Sequence, residues 1–154
     1  MSLCRVLEVR EMAEPRVLIV DDEPEFLEAL AERLRMRGLR VETARSGLEA
    51  LNKAAEGTYD AVILDLVMPG LDGIETLKHL KAERPDFQVI LLTGHATLPK
   101  GVESMKLGAL DFLEKPADLE TLLAKVKEAR ARRLMLVRKD QEEKLREILS
   151  RKGW

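Results

Sequence analysis

The chain has 154 residues, 45% hydrophobic and 35% charged, with a formal net charge of −2. That is one domain with enough apolar matter for a real core, which excludes a disordered chain, and no apolar run approaches the roughly 18 residues of a membrane span. The single Cys4 has no internal disulfide partner, and the N-terminal stretch lacks the apolar core of a signal peptide, so a cytoplasmic location is expected. Charge is unevenly spread. Residues 16–124 carry 13 Lys/Arg against 20 Asp/Glu, and residues 125–154 carry 11 against 5. The acidic body argues against direct nucleic-acid binding and favours a cation or a basic partner, while the basic tail reads first as a solvated helix face.

Residues 1–15 show no clear periodicity and are expected to be a flexible leader, within which Met12 could be the native start. Arg16-Val17-Leu18-Ile19-Val20 reads as a strand buried on both faces, and it ends in Asp21-Asp22-Glu23. Pro24 opens a helix whose packing face is Phe26, Leu27, Leu30 and Leu34, closed by Gly38. Arg40 to Ala44 is half-polar, as an edge strand should be. Ser46 and Glu49 then form a capping box for a helix carrying Leu48, Leu51 and Ala55 up to Gly57.

The next strand, Ala61-Val62-Ile63-Leu64, delivers Asp65 to the edge of a Pro69-Gly70 turn. Taken alone, that aspartate is either a turn former or a group placed for chemistry. A helix over 73–84 presents Ile74, Leu77 and Leu80 before Pro85 ends it. Gln88 to Thr93 is another buried strand. A short helix starting near Pro99 is expected to turn Val102 and Met105 inward, and Asp111 to Lys115 forms the fifth strand, stopped by Pro116.

Five strands alternating with helices through short loops imply an α/β fold: a five-stranded parallel sheet, doubly wound by right-handed crossovers. Ligands of such sheets bind beyond the carboxyl ends of the strands. Those ends carry Asp21 and Asp22, Asp65, Thr93 and Lys115, behind strand bodies that are almost wholly apolar. Two carboxylates about 5 Å apart repel by roughly 3 kcal/mol at an effective dielectric of 20, so three together need cations. Lys115 supplies one charge, and an all-oxygen donor set suits Mg²⁺ for the remainder. Asp65 can then stay ionised and attack a phosphoryl group, with Thr93 donating to a phosphoryl oxygen and an aspartyl phosphate as the product.

Four segments in order and spacing, Val-Asp-Asp at 20–22, Leu-Asp-Leu-Val-Met-Pro-Gly-Leu-Asp-Gly at 64–73, Leu-Thr-Gly-His-Ala at 92–96 and Gly-Ala-Leu-Asp-Phe-Leu-Glu-Lys-Pro at 108–116, carry a family resemblance. Over residues 16–133 the chain resembles the receiver domain of two-component response regulators, most of all those of the nitrogen-regulation type. The resemblance implies a flavodoxin-like fold with strand order 2-1-3-4-5, an order the chemotaxis receivers share. It implies Asp65 as phosphoacceptor, Asp21 and Asp22 as the Mg²⁺-binding acids, and Val67 as the residue whose backbone carbonyl completes the metal shell. Thr93 matches the switch hydroxyl, Phe112 the switch aromatic and Lys115 the phosphate-contacting lysine, with a Lys115-Pro116 bond that is often cis in the family. The phosphoryl donor would be a sensor histidine kinase or a phosphotransfer protein, and the chain would catalyse only its own phosphoryl transfer and autodephosphorylation. His95, two places after Thr93, reads as a solvent-facing bystander rather than a base. Apolar Val67 at the site entrance suggests a moderately long-lived phosphoryl state. The other readings are a Mg²⁺-dependent phosphatase with an aspartyl nucleophile, and a binding module that never takes phosphate.

Beyond Asp118, a cap residue, helical spacing runs through Leu119, Leu122, Leu123, Val126 and Ala129 and continues through Leu134, Val137, Leu145, Ile148 and Leu149. Residues 134–154 are therefore a helical extension or linker. Its apolar spacing approaches a coiled-coil seam but slips near Gln141, and a homodimer through this helix is the expectation, with a solvated linker as the plain alternative.

Overall fold

Local sequence explains where each element starts and stops. A computed structural model describes residues 14–68, 70, 72–94 and 97–153. The leader through residue 13 and His95 lie outside the described residues. The elements are β1 (Arg16–Val20), α1 (Pro24–Met36), β2 (Arg40–Ala44), α2 (Gly47–Glu56), β3 (Ala61–Leu64), α3 (Gly73–Glu83), β4 (Gln88–Thr93), α4 (Leu98–Lys106), β5 (Asp111–Glu114) and α5 (Leu119–Arg151). Pro24 occupies the first turn of α1, where its missing N–H costs nothing. One residue past the cap Arg37, Gly38 takes φ +89°, and the N–H groups of Gly38 and Leu39 return to the carbonyls of Arg35 and Leu34. That pair of bonds is a Schellman motif, and its left-handed residue favours glycine. In the box that opens α2, Ser46 Oγ accepts from Glu49 N–H at 3.1 Å, while the Glu49 carboxylate accepts from Arg45 N–H rather than from Ser46.

All strands are parallel, in the order β2-β1-β3-β4-β5. Alternate side chains divide the core between the two faces of this flavodoxin-like sheet. Val17, Ile19, Ile63 and Ile90 pack with Leu27, Ala31 and Leu34 of α1 and with Leu122, Val126 and Ala129 of α5. Leu18, Val20, Leu64 and Leu91 pack with Ala50 and Ala54 of α2 and Leu77 and Leu80 of α3.

Two helices present a different face from the one their periodicity predicts. In α2 the buried residues are Ala50 and Ala54, with Leu51 beside them; Leu48 is 64% exposed and Ala55 also faces water. In α4 Val102 and Met105 are 45% and 47% exposed, and the inward residues are Gly101 and Ser104. The reason is the same in both: small residues let the helix backbone lie close to the layer beneath. A Cβ placed on Gly101 would already sit 3.6 Å from the Phe112 ring, and Ser104 satisfies its buried hydroxyl by donating to the Lys100 carbonyl at 2.7 Å.

The helix α5 begins at Asp118, whose carboxylate accepts from Thr121 N–H, and continues without interruption for 33 residues. Its first half is packed against the sheet. At the end of that half Arg133, 14% exposed, donates to Asp60 at 3.2 Å and to Asp86 at 3.0 Å, the residues just before β3 and shortly before β4. Beyond that bridge Leu145, Ile148 and Leu149 are exposed. No helix among the described residues is long and apolar enough to cross a membrane.

Candidate functional site

Register brings the acids together. Val20 pairs with Leu64, so the residues that follow them, Asp21 and Asp65, leave the sheet side by side, and Asp65 N–H donates to the Val20 carbonyl at 3.0 Å. Each aspartate then folds back on its own loop. Asp21 Oδ1 accepts Glu23 N–H at 2.9 Å, and Asp65 Oδ1 accepts Val67 N–H at 3.2 Å. These Asx-type turns hold one oxygen of each carboxylate and leave the other for a partner across the sheet edge.

That partner is Lys115, one residue past the end of β5, which stops at Glu114 rather than at Lys115 itself. Lys115 N–H donates to the Thr93 carbonyl at 2.9 Å, which fixes the lysine backbone at the end of β4, and the Lys115-Pro116 bond is cis. Its Nζ donates to Asp21 Oδ2 at 2.6 Å and to Asp65 Oδ2 at 3.3 Å. On its remaining side Nζ lies 3.9 Å from the centroid of the Phe26 ring, which reaches over from α1. Thr93 is fully buried at the last position of β4.

Burial and charge pull in opposite directions here. Burial pushes the Asp21 carboxyl above its ordinary value, against the hydrogen bonds from Lys115 and Glu23 that favour the ionised form. Burial also works against the Lys115 ammonium, but the hydrogen bond and charge of Asp21 and the charge of Asp65 outweigh it, and Lys115 stays above its ordinary value. The lysine is therefore charged throughout the physiological range. Asp22, half-buried, completes the cluster: Asp21, Asp22 and Asp65 each offer a carboxylate oxygen, all within 4.8 Å of one another. Three hard oxygen donors gathered this closely suit a small divalent cation such as Mg²⁺, which would draw them in by a few tenths of an ångström to its opposite-ligand span of about 4.2 Å.

The loop after Asp65 is held from behind. Gly73 N–H donates to the Leu66 carbonyl at 3.0 Å, and a Cβ on Gly73 would fall 2.3 Å from Leu66 Cα and 2.5 Å from the Asp65 carbonyl oxygen. Only glycine lets the first turn of α3 lie against the backbone that carries Asp65.

A sequence model of the response regulator receiver domain matches residues 17–127. The chain belongs to that family. The receiver is 41% identical over 115 residues to the transcriptional regulatory protein ZraR of Klebsiella oxytoca, a match that covers 75% of this chain and 26% of ZraR. It is 39% identical over 125 residues to the C4-dicarboxylate transport transcriptional regulatory protein DctD of Pseudomonas aeruginosa, covering 80% of this chain and 27% of DctD. The chain thus spans about a quarter of the length of these two relatives. Among solved structures, a CheY-like receiver domain protein from Methanospirillum hungatei superposes with a TM-score of 0.75 at 31% identity, over 79% of this chain and 98% of that one. The fold and the family are those of two-component receivers.

Within this receiver, Asp21, Asp22, Asp65 and Lys115 converge as their positions at strand ends predict. Val67, two residues past Asp65 and donating its N–H to the Asp65 carboxylate, is 42% exposed. Phe112 is half-buried, packed on the α2/α3-side core with its ring under Gly101 of α4. Two residues of the site are absent from the sequence-based set. Phe26 reads by spacing as a plain core residue of α1, and nothing local indicates a lysine 89 positions later in the chain. Gly73 closes the 64–73 segment and starts a helix but is given no role in the site, although a glycine at the first helical position, eight residues after the key aspartate, is a signal of close backbone approach.

Proposed function

We propose that this receiver is a switch that accepts a phosphoryl group on Asp65 from a phosphohistidine of a sensor kinase or phosphotransfer protein. The observation that carries the reading is the single Lys115 ammonium donating to both Asp21 and Asp65, beside a third carboxylate, at the carboxyl edge of the sheet. In transfer, an Asp65 oxygen attacks phosphorus, the P–N bond of the donor breaks, and the leaving imidazole takes up a proton. Lys115 shifts toward the phosphoryl oxygens, and Thr93 donates its hydroxyl to one of them. Asp21, Asp22 and Asp65 would hold Mg²⁺ with the Val67 carbonyl; when bound, the ion supplies positive charge that stabilises the phosphoryl oxygens. The new charge of about −1.5 to −2 then draws the Thr93 hydroxyl toward Asp65 and repacks Phe112 and α4. The chain acts on no other substrate, and its setting is the cytoplasm.

We take residues 16–133 as the receiver and 134–154 as a linker that also dimerises. Leu134, Val137, Leu145 and Ile148 follow one side of α5, with Gln141 in the same line. The 11-residue interval from Leu134 to Leu145 replaces one heptad step, so a seam between two copies runs straighter there.

Intact mass after incubation with Mg²⁺ and phosphoramidate tests the switch. One phosphate added to the wild type and none to Asp65→Asn is the expected result. Continuous turnover of a phosphoester would replace the switch by a phosphatase, and an unmodified wild type would replace it by a passive binding module.

A further inference from the structure

The Lys115 ammonium meets Asp21 at 2.6 Å, Asp65 at 3.3 Å and the ring face of Phe26, with its centroid at 3.9 Å. A lysine ammonium is strongly hydrated and rides on a flexible four-carbon stem, so a site that needs it at one place must keep water and alternative rotamers away. The two carboxylates fix it on the sheet side. On the α1 side Phe26 stands against it and presents a π face, whose negative potential accepts a cation. Phe26 is half-buried and packs against the core that contains Leu92 and Leu122, and it lines a small cavity with Leu30 and Pro116 between α1 and α5.

We propose that Phe26 is a positioning residue for phosphoryl transfer to Asp65: its ring face holds the Lys115 ammonium dehydrated and confined to the arc between Asp21 and the incoming phosphoryl oxygens. The inference rests on Asp65 being the phosphoacceptor. A ring face suits the task because its attraction is broad. The ammonium slides across it from Asp21 toward the phosphoryl group without breaking a directional bond, whereas a third hydrogen-bond acceptor would pin it in the resting position.

The test separates ring electrostatics from ring volume. Phe26 is one of only three phenylalanines in the chain, and site-specific replacement by mono-, di-, tri- and pentafluorophenylalanine keeps its shape while progressively cancelling the negative face. The rate of Asp65 phosphorylation by phosphoramidate should fall step by step with fluorination, to roughly a third to a thirtieth of the wild-type rate in the most fluorinated protein, and Phe26→Tyr should retain most of it. A second measurement needs neither metal nor phosphate. In the Mg²⁺-free protein the ε-methylene protons of Lys115 should be shifted upfield by the ring current and should return to ordinary values in Phe26→Leu. Wild-type rates throughout the fluorinated series would overturn the inference, as would unshifted ε-protons in the wild type. A wild type that takes no phosphate while its ε-protons are shifted would overturn the phosphoacceptor reading, and with it the role of Phe26 in transfer.

Discussion

Lys115 Nζ stands 0.7 Å closer to Asp21 than to Asp65, at 2.6 Å against 3.3 Å. At rest Asp21, not the proposed phosphoacceptor, is its principal partner. The folded-state pKa of Lys115 is raised above the unfolded value of 10.5, so the folded state holds this proton more tightly. Its contribution to stability is complete below about pH 10.5 and is lost as pH rises through the folded value. Urea denaturation of the Mg²⁺-free chain at pH 9 and pH 12 should therefore show a larger loss for the wild type than for Lys115→Met. Equal losses would mean that the lysine gains nothing from its two carboxylates.

Gly73→Ala tests whether the Asp65 loop needs the close approach of α3. The added methyl meets backbone rather than a side chain able to move, at 2.3 Å from Leu66 Cα. Overpacking of this kind costs about 1–3 kcal/mol. A lower urea midpoint is expected, together with slower phosphorylation at temperatures where the variant is fully folded, because the strain is relieved by moving the backbone that carries Asp65. Full-rate phosphorylation in the folded variant would show that the loop tolerates the shift.

Arg133 closes a bridge across the opposite edge of the sheet, and truncating it to methionine leaves Asp60 and Asp86 less well paired. Asp60 still accepts from Arg16 N–H, and Asp86 keeps a contact with Arg84 at 3.7 Å. A fully buried pair broken in this way costs several kcal/mol. The residual exposure and the remaining partners reduce the expected loss for Arg133→Met to about 1–2 kcal/mol, read from denaturant midpoints, with faster amide exchange in α5 from Val126 to Arg133.

Removal of residues 137–154 should behave differently. The side chains past Arg133 bury little against the receiver, so the cut should leave the unfolding midpoint within about 0.5 kcal/mol of the full chain. Light scattering should show a dimer for the full chain and a monomer for the truncated one. A full-length monomer would remove the dimerising role of α5.

The strand-end acids, Thr93 and Lys115 were legible because a run of buried apolar residues that stops at a polar one marks both a strand and its exit to solvent. Short right-handed connections gave a parallel, doubly wound sheet, and its strand order came with the family resemblance. Helix faces were harder. Period 3.6 identifies an apolar stripe but not whether a neighbouring stripe of small residues packs more closely, and α2 and α4 both bury the small one, leaving Leu48, Val102 and Met105 outside. Contacts between distant residues left no local trace: Phe26 with Lys115, and Arg133 with Asp60 and Asp86, arise only once the sheet has aligned their elements.

The bridge at Arg133 makes α5 a lever with a defined fulcrum. From Arg133 to Arg151 the helix advances about 27 Å at 1.5 Å per residue, without a break to absorb rotation. A tilt of about 5° at the bridge would carry its far end by about 2 Å, somewhat under half the roughly 5–6 Å between neighbouring side chains on a helix surface. In the proposed dimer, a displacement of that size would be enough to change which residues meet at the tip.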